Sequence, residues 1–353
     1  MTSETTVPDP AQVFPAAPAP AHQVPPHPVP AHPMLAHLLS SGPATQKPVA
    51  YHRLAWAVGR CGWWRPVAGT VLVLVGVLAL MLVLAVGAQI LGEVAHRPLD
   101  SDGVPVWGDV GDMALALLSI AVATPVVLLV ARCVQRRPAG TVSSVSGRLR
   151  VGRLAVCLAL ALPLVVVGMG VQVLLPAPSG SGGEEAVWAG ASTFLAGLAA
   201  VWVLVPFQAA AEEYVFRGWL LQAVGAWWRS PWVAIAPQAL LFAAAHGWGT
   251  PWGFADLVVF GTVTGWLTVR TGGLEAAIAL HILNNLVAMS IAAAIAGALG
   301  SPDTAADMGW RALAVDAPMV LLYAAAVLCV TRRRERASGT DERTAPLHPV
   351  TSA

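Results

Sequence analysis

The chain is short of charge. Only 11% of its 353 residues are Asp, Glu, Lys or Arg, against about 25% in soluble domains. Lysine is almost missing, with one residue against nineteen arginines. The formal net charge is +1, so there is no global field to hold nucleic acid or an acidic substrate. Cysteine is scarce as well. Cys61, Cys133, Cys157 and Cys329 make no C-x-x-C pair and no zinc-like spacing, which excludes a disulfide framework and a redox motif. They read as small buried apolar residues. No apolar h-region follows Met1, so no secretory signal peptide is expected.

What the chain has in excess is hydrocarbon. Hydrophobic residues make up 56% and the mean hydropathy is +0.67, the composition of an integral membrane protein. The arginine, alanine, valine and glycine bias suits a GC-rich bacterial genome. Residues 1–49 differ: they hold twelve of the 28 prolines. They read as a disordered Pro/Ala/His-rich tail that continues as a lead-in to residue 66. His22, His27, His32 and His37 recur there every five residues, out of phase with a three-residue polyproline II turn.

A span needs about 20 apolar residues. Candidates run over 67–91, 112–133, 154–175, 188–208, 231–247, 254–270, 274–297 and 312–330, with the fourth continuing as helix past residue 208. The expected fold is all-α, a polytopic transmembrane helical bundle of about eight spans. Residues 67–187 hold the first helices, 188–297 a core with motifs, 298–331 the last helix, and 332–353 a basic then polar tail. Loop charge alternates. Arg136, Arg137, Arg148 and Arg150 follow the second span and Arg332, Arg333 and Arg334 follow the eighth, whereas Asp100, Asp102, Asp303 and Asp307 fall in the intervening loops. Arginine on alternate sides predicts both termini in the cytoplasm.

Ionisable groups at membrane depth cost about 2.5–3.5 kcal/mol each and are usually functional. They concentrate after residue 208. In E-E-x-x-x-R, Glu213 and Arg217 are i and i+4 and can neutralise one another. Glu212 points about 100° away and stays available, as suits a general base. In "FAAAH", Phe242 and His246 are i and i+4, so the ring packs near the imidazole. In "HILNN", His281, Asn284 and Asn285 share a face. They can donate to an oxyanion, or His281 can ligate metal. One shared wet cavity would lower all these insertion penalties together. There is no H-E-x-x-H, no G-x-S-x-G and no central aspartate in a span, while Ser119 and Ser290 lack partner motifs. Gly261 and Gly265 form a G-x-x-x-G helix contact. Trp227, Trp228, Trp232, Trp248 and Trp252 cluster at span ends as interfacial anchors. A non-catalytic membrane adaptor or immunity-type protein, and a proton-coupled transporter, use similar buried groups.

The three motifs, in this order on successive apolar segments, resemble the CAAX-protease and bacteriocin-processing (CPBP, or Abi) family over about residues 188–297. "GWLTVRTGGLEAAIALHILNNLVA" looks like that family's run between its second and third motifs. The resemblance implies an intramembrane endopeptidase with a cavity open to the cytoplasm and a membrane-associated protein or peptide as substrate. It implies that Glu212 activates water with His246, that His281 and Asn285 stabilise the oxyanion, and that Glu213 and Arg217 support them. A metal version would use Glu212, His246 and His281 to hold zinc; the glutamate-base version is favoured. The predicted depths conflict, because the boundaries put Glu212 and His281 near one membrane face and His246 near the other. Pro231 and Pro237 suggest that the fifth segment is broken or re-entrant.

Overall fold

The computed structural model describes residues 49–59, 62–175, 186–338 and 344–345. The proline-rich tail and Cys61 lie outside the described residues. Two short strands, β1 (Val49–Ala50) and β2 (Thr344–Ala345), pair antiparallel. The rest is helix: α1 (Leu54–Val58), α2 (Arg65–Val94), α3 (Asp109–Ala121), α4 (Ala123–Cys133), α5 (Val151–Leu174), α6 (Ala191–Glu213), α7 (Leu221–Gly225), α8 (Pro231–Ala245), α9 (Pro251–Thr271), α10 (Glu275–Ala293) and α11 (Trp310–Ser338). A π-helical turn, Tyr214–Leu220, joins α6 to α7 without a break.

Seven of these are long and apolar enough to cross a membrane, with α3–α4 and α6–α7 each counted as one span. The remaining apolar segment, the fifth in chain order and α8 here, has 15 residues, fewer than the roughly 20 of a full span. The reason is visible at its ends. Pro231 starts it at the first turn, where the missing N–H costs nothing. His246 and Gly247 then turn the chain to Thr250, whose side chain caps α9 through Gly253 N at 3.0 Å. Gly272, at φ 69°, ends α9 in the left-handed conformation that favours glycine.

The G-x-x-x-G pattern works as expected. A Cβ on Gly261 would lie 2.9 Å from Ala239 Cα, and one on Gly265 would lie 2.5 Å from Gln238 Nε2. These two glycines therefore let α9 lie directly on α8, and Gln238 Nε2 donates to Gly261 O at 2.8 Å. The cysteines divide differently from expectation. Cys157 is buried, but Cys133 and Cys329 are exposed on the helix surface, where a weakly polar thiol is tolerated beside hydrocarbon.

The two ends of the bundle carry opposite charge. At one end Arg53 Nη1 donates to Gly225 O at 2.7 Å, Leu274 N to Ser143 O, and Arg150 pairs with Glu275 at 2.7 Å. This end gathers Arg136, Arg137, Arg148, Arg150 and the Arg332–Arg334 run. Arg137 is wholly buried there and donates to Gln135, Thr141 and Gln222. Burial pushes its pKa down to about 10. At the other end Ala189 N donates to Ala294 O and Thr250 N to Ala306 O, and Arg97 and Arg311 are the only arginines there among the described residues.

Candidate active site

Three helices bring the motifs together. Glu212 and Glu213 close α6, His246 caps α8, and His281 sits in the second turn of α10. Their depths agree once the turn between α7 and α8 is used as the reference. Glu212 precedes Gly225 by 13 residues and His246 follows Pro231 by 15, so at 1.5 Å per residue they lie about 20 and 22 Å from it. The conflict in the predicted depths comes from bounding the fourth span at residue 208. The apolar helix runs through the glutamates to Gly225.

Glu213 and Arg217 are both fully buried and paired, with Arg217 Nη1 donating to Glu213 Oε1 at 3.0 Å. The guanidinium also lies over the Phe242 ring, 4.0 Å from its centroid. The same Glu213 Oε1 accepts from His281 Nδ1 at 2.7 Å. Phe242 packs on His246 at 4.7 Å and edge-on to His281 at 5.9 Å, so one ring separates and orients both imidazoles. His246 Nδ1 donates to Phe242 O at 2.9 Å.

These bonds fix the tautomers through their acceptors, a carboxylate and a carbonyl. Each ring has its Nδ1 proton committed, so in the neutral rings both Nε2 atoms are acceptors. Both face Glu212 Oε2, His246 Nε2 at 3.8 Å and His281 Nε2 at 3.9 Å. Glu212 Oε2 is buried with no hydrogen-bond partner. Three acceptors thus converge on one point with no donor among them. A water would satisfy two of them: at about 2.8 Å from Glu212 Oε2 and His246 Nε2 it can donate to both.

Zinc fits less well. The donor types suit it, and the Nδ1 partners are those that orient metal-bound histidines. The spacing does not, because a tetrahedral zinc with bonds of about 2.0–2.1 Å holds its ligand atoms roughly 3.3 Å apart. Among the described residues no group of three or more His, Cys, Asp or Glu is spaced to hold a metal ion.

Gln208 is a polar residue of the site that the motifs did not mark. Its Nε2 donates to Glu212 Oε1, and its Oε1 accepts from Asn285 Nδ2 at 3.2 Å. Gln208 precedes Glu212 by four residues, so the i, i+4 rule would have found it. Asn285 therefore reaches the site with one amide N–H already engaged and the other available, while Asn284 lines the cavity wall. Asp256 and Asp316 line it too. They sit in the second turns of α9 and α11, so the apolar runs do contain aspartates, near their ends rather than their centres. Gln172 Nε2 donates to Asp316 Oδ1 at 2.8 Å.

The cavity holds about 540 Å³. From Glu212 and His281 it passes Phe260, Asp256 and Met289 to Ser301, Asp303 and Thr304. Those last three belong to the loop at the arginine-poor end. None of the arginine-rich loops lines the cavity. That end is closed by a separate apolar cluster around Trp219, Leu274 and Ile278. The resemblance implies an opening to the cytoplasm; the cavity reaches the arginine-poor end of the bundle, because the short α8 brings His246 next to that loop. Thr304 Oγ1 donates to His246 O at 2.8 Å.

Comparison with known proteins agrees with the motifs. Residues 171–287 match the model of the family described as type II CAAX prenyl endopeptidase Rce1-like. The Bacillus subtilis (strain 168) protein called "Uncharacterized protein YyaK" is 36% identical over 102 residues, which cover 27% of this chain and 34% of that protein. The chain thus spans about a third of the length of the curated relative it matches. No solved structure matches. The long apolar helices make the protein a multi-pass membrane protein, and its segment 171–287 is a domain similar to those of type II CAAX prenyl endopeptidases.

Proposed function

We propose that the protein is an intramembrane endopeptidase of the cell membrane, with both termini cytoplasmic, in which Glu212 is the general base. The observation that carries this reading is the convergence of Glu212 Oε2 with two imidazole Nε2 atoms on the wall of the cavity. The substrate is a membrane-associated protein or peptide.

The chemistry follows from the atoms. A water held between Glu212 Oε2 and His246 Nε2 gives a proton to Glu212 as its oxygen attacks the scissile carbonyl carbon. Charge develops on the carbonyl oxygen. The second N–H of Asn285 donates to it. His281, its Nδ1 proton held by Glu213 Oε1, keeps its Nε2 beside the attacking water. The C–N bond then breaks, and Glu212 returns the proton to the leaving amine. No step uses a metal. Activity is therefore expected to survive prolonged chelation by EDTA with less than about twofold loss; complete loss restored by zinc would replace Glu212 as base with Glu212 as ligand.

Gln208 is proposed as a positioning residue, since it binds the Glu212 oxygen that faces away from the histidines. Gln208→Leu frees that carboxylate to rotate and is expected to lower kcat about 10–100-fold with KM little changed. Gln208→Glu removes the donor and puts a second carboxylate against the first, and is expected to lower kcat at least as far with KM again little changed. Unchanged kcat in both variants would make Gln208 a packing residue.

The reading as a whole is tested by comparing membrane proteomes of cells carrying the wild-type protein and Glu212→Gln. A substrate accumulates uncleaved in the variant. Identical proteomes, with both proteins present in equal amount, favour a non-catalytic adaptor.

A further inference from the structure

The direction of the cavity says which substrates can enter. The exposed residues among those that line it, Ser301, Asp303, Thr304 and Ala305, all lie in the loop between α10 and α11, which places its mouth there. Arg97 and Arg311 are the only arginines at that end among the described residues, and Asp100, Asp102, Asp109, Asp303 and Asp307 lie there. The opposite end carries the arginine clusters of the 134–150 loop and of the α11 terminus. An excess of arginine in short loops and near span ends marks the cytoplasmic side. The arginine-poor mouth therefore faces away from the cytoplasm.

A second, independent feature gives the level of the mouth. Apart from Trp202, which lies within α6 and donates to Ser290, the exposed tryptophans fall into two groups. Trp56, Trp63, Trp64, Trp227, Trp228 and Trp232 lie at the arginine-rich end, and Trp188, Trp248, Trp252 and Trp310 at the other. Such rings settle at membrane–water interfaces. Trp248 and Trp252 flank the turn that Thr304 and Ala306 bind, and Trp310 starts α11 directly after the loop. The mouth thus opens at headgroup level.

The way in from the cytoplasm is blocked by named groups. Below Glu212 the Glu213–Arg217 pair is wholly buried. Beneath it Leu274 and Glu275 are covered by Ser143 and Arg150. Trp219 and Tyr214 fill the remaining space, and Tyr214 Oη is hydrogen-bonded to Ser143 Oγ at 2.7 Å.

We propose that the catalytic cavity is entered from the extracytoplasmic face of the membrane at the headgroup level, so that the substrate is an exported, membrane-anchored polypeptide whose scissile segment lies outside. This substrate class rests on the peptidase reading above; the sidedness of the opening does not. A segment tethered by its own anchor at the outer interface needs to dip only from Thr304 to the neighbouring His246 to reach the Glu212 oxygen. A cytoplasmic segment would have to displace a packed core and a buried ion pair.

The test is labelling by a membrane-impermeant maleimide. The four native cysteines are replaced by alanine, and single cysteines are returned as Ser301→Cys, Asp303→Cys or Arg148→Cys. In intact spheroplasts the first two are expected to label at least about tenfold more than in inverted vesicles, and Arg148→Cys the reverse. Two mouth positions guard against one that fails to insert. The reverse pattern, or equal labelling from both sides, overturns the proposal. The labelling needs no catalysis and is run in parallel on a Glu212→Gln background, so an inactive protein leaves the sidedness result standing. In the proteome comparison the uncleaved segments are expected to lie outside the cytoplasm. Cleavage sites on the cytoplasmic side would overturn the substrate class while keeping the peptidase reading.

Discussion

Glu212→Gln is expected to abolish peptide hydrolysis, with kcat/KM falling by about 10³-fold or more, while the protein folds and inserts normally. The substitution is close to isosteric. The amide oxygen it introduces can still accept from Gln208, so the helix and the wall of the cavity are retained. What goes is the lone pair that takes the proton of water. Each carboxylate has one engaged oxygen and one without a hydrogen-bond partner; Glu212 is the better placed for this role because it lines the cavity and turns its Oε2 to both imidazoles, whereas Glu213 lies behind it. Stability in detergent should change by less than about 1 kcal/mol, since no buried ion pair is broken. The measurement is hydrolysis of an accumulated substrate by purified wild-type and variant protein, beside their thermal melting curves. Activity within tenfold of wild type would remove Glu212 from the mechanism and leave the three-acceptor cluster as a structural water site.

The parts of this arrangement that are legible in the sequence are those written at fixed spacing. E-E-x-x-x-R predicts the buried pair because i, i+4 neighbours share a helix face, and F-x-x-x-H predicts the ring on the imidazole for the same reason. The spans follow from hydropathy. What the sequence conceals is extent. A charged pair reads as the end of an apolar run, so the fourth span is bounded at residue 208 even where the helix itself is expected to continue. Paired charges inside a protein do not end a span. Carrying it to Gly225 moves Glu212 inward and brings it level with His246. Gln208 looks like the polar edge of that run; only the span continuing beyond it makes it an internal group. Asp256 and Asp316 read as interfacial residues because local composition does not say that two helix starts face one cavity. The side on which that cavity opens is likewise a property of the assembled bundle. It depends on α8 being 15 residues long and on the loop before α11 folding back onto its end, neither of which a motif encodes.

The buried pair separates structure from catalysis, and its variants should show the largest losses of stability. Arg217 is fully buried, with its bond to Glu213 at 3.0 Å and the Phe242 ring beneath it. In Glu213→Leu the guanidinium loses its carboxylate partner at bonding distance. In Arg217→Met the Glu213 carboxylate keeps only His281. Each single variant leaves an uncompensated charge in a medium of low dielectric and is expected to cost about 3–5 kcal/mol. The double variant Glu213→Leu/Arg217→Met removes both charges and fills their volume with hydrocarbon, so most of that stability should return, to within about 1–2 kcal/mol of wild type. Activity should not return with it. His281 Nδ1 would then have no carboxylate to hold the ring with Nε2 toward Glu212. Turnover in the double variant is expected to stay at least about 100-fold below wild type. Melting temperature and turnover measured on the same three preparations distinguish the roles. A double variant that is both stable and active would mean that Glu213 serves only to neutralise Arg217, and that His281 is oriented by the Phe242 and Phe260 rings packed edge-on against it.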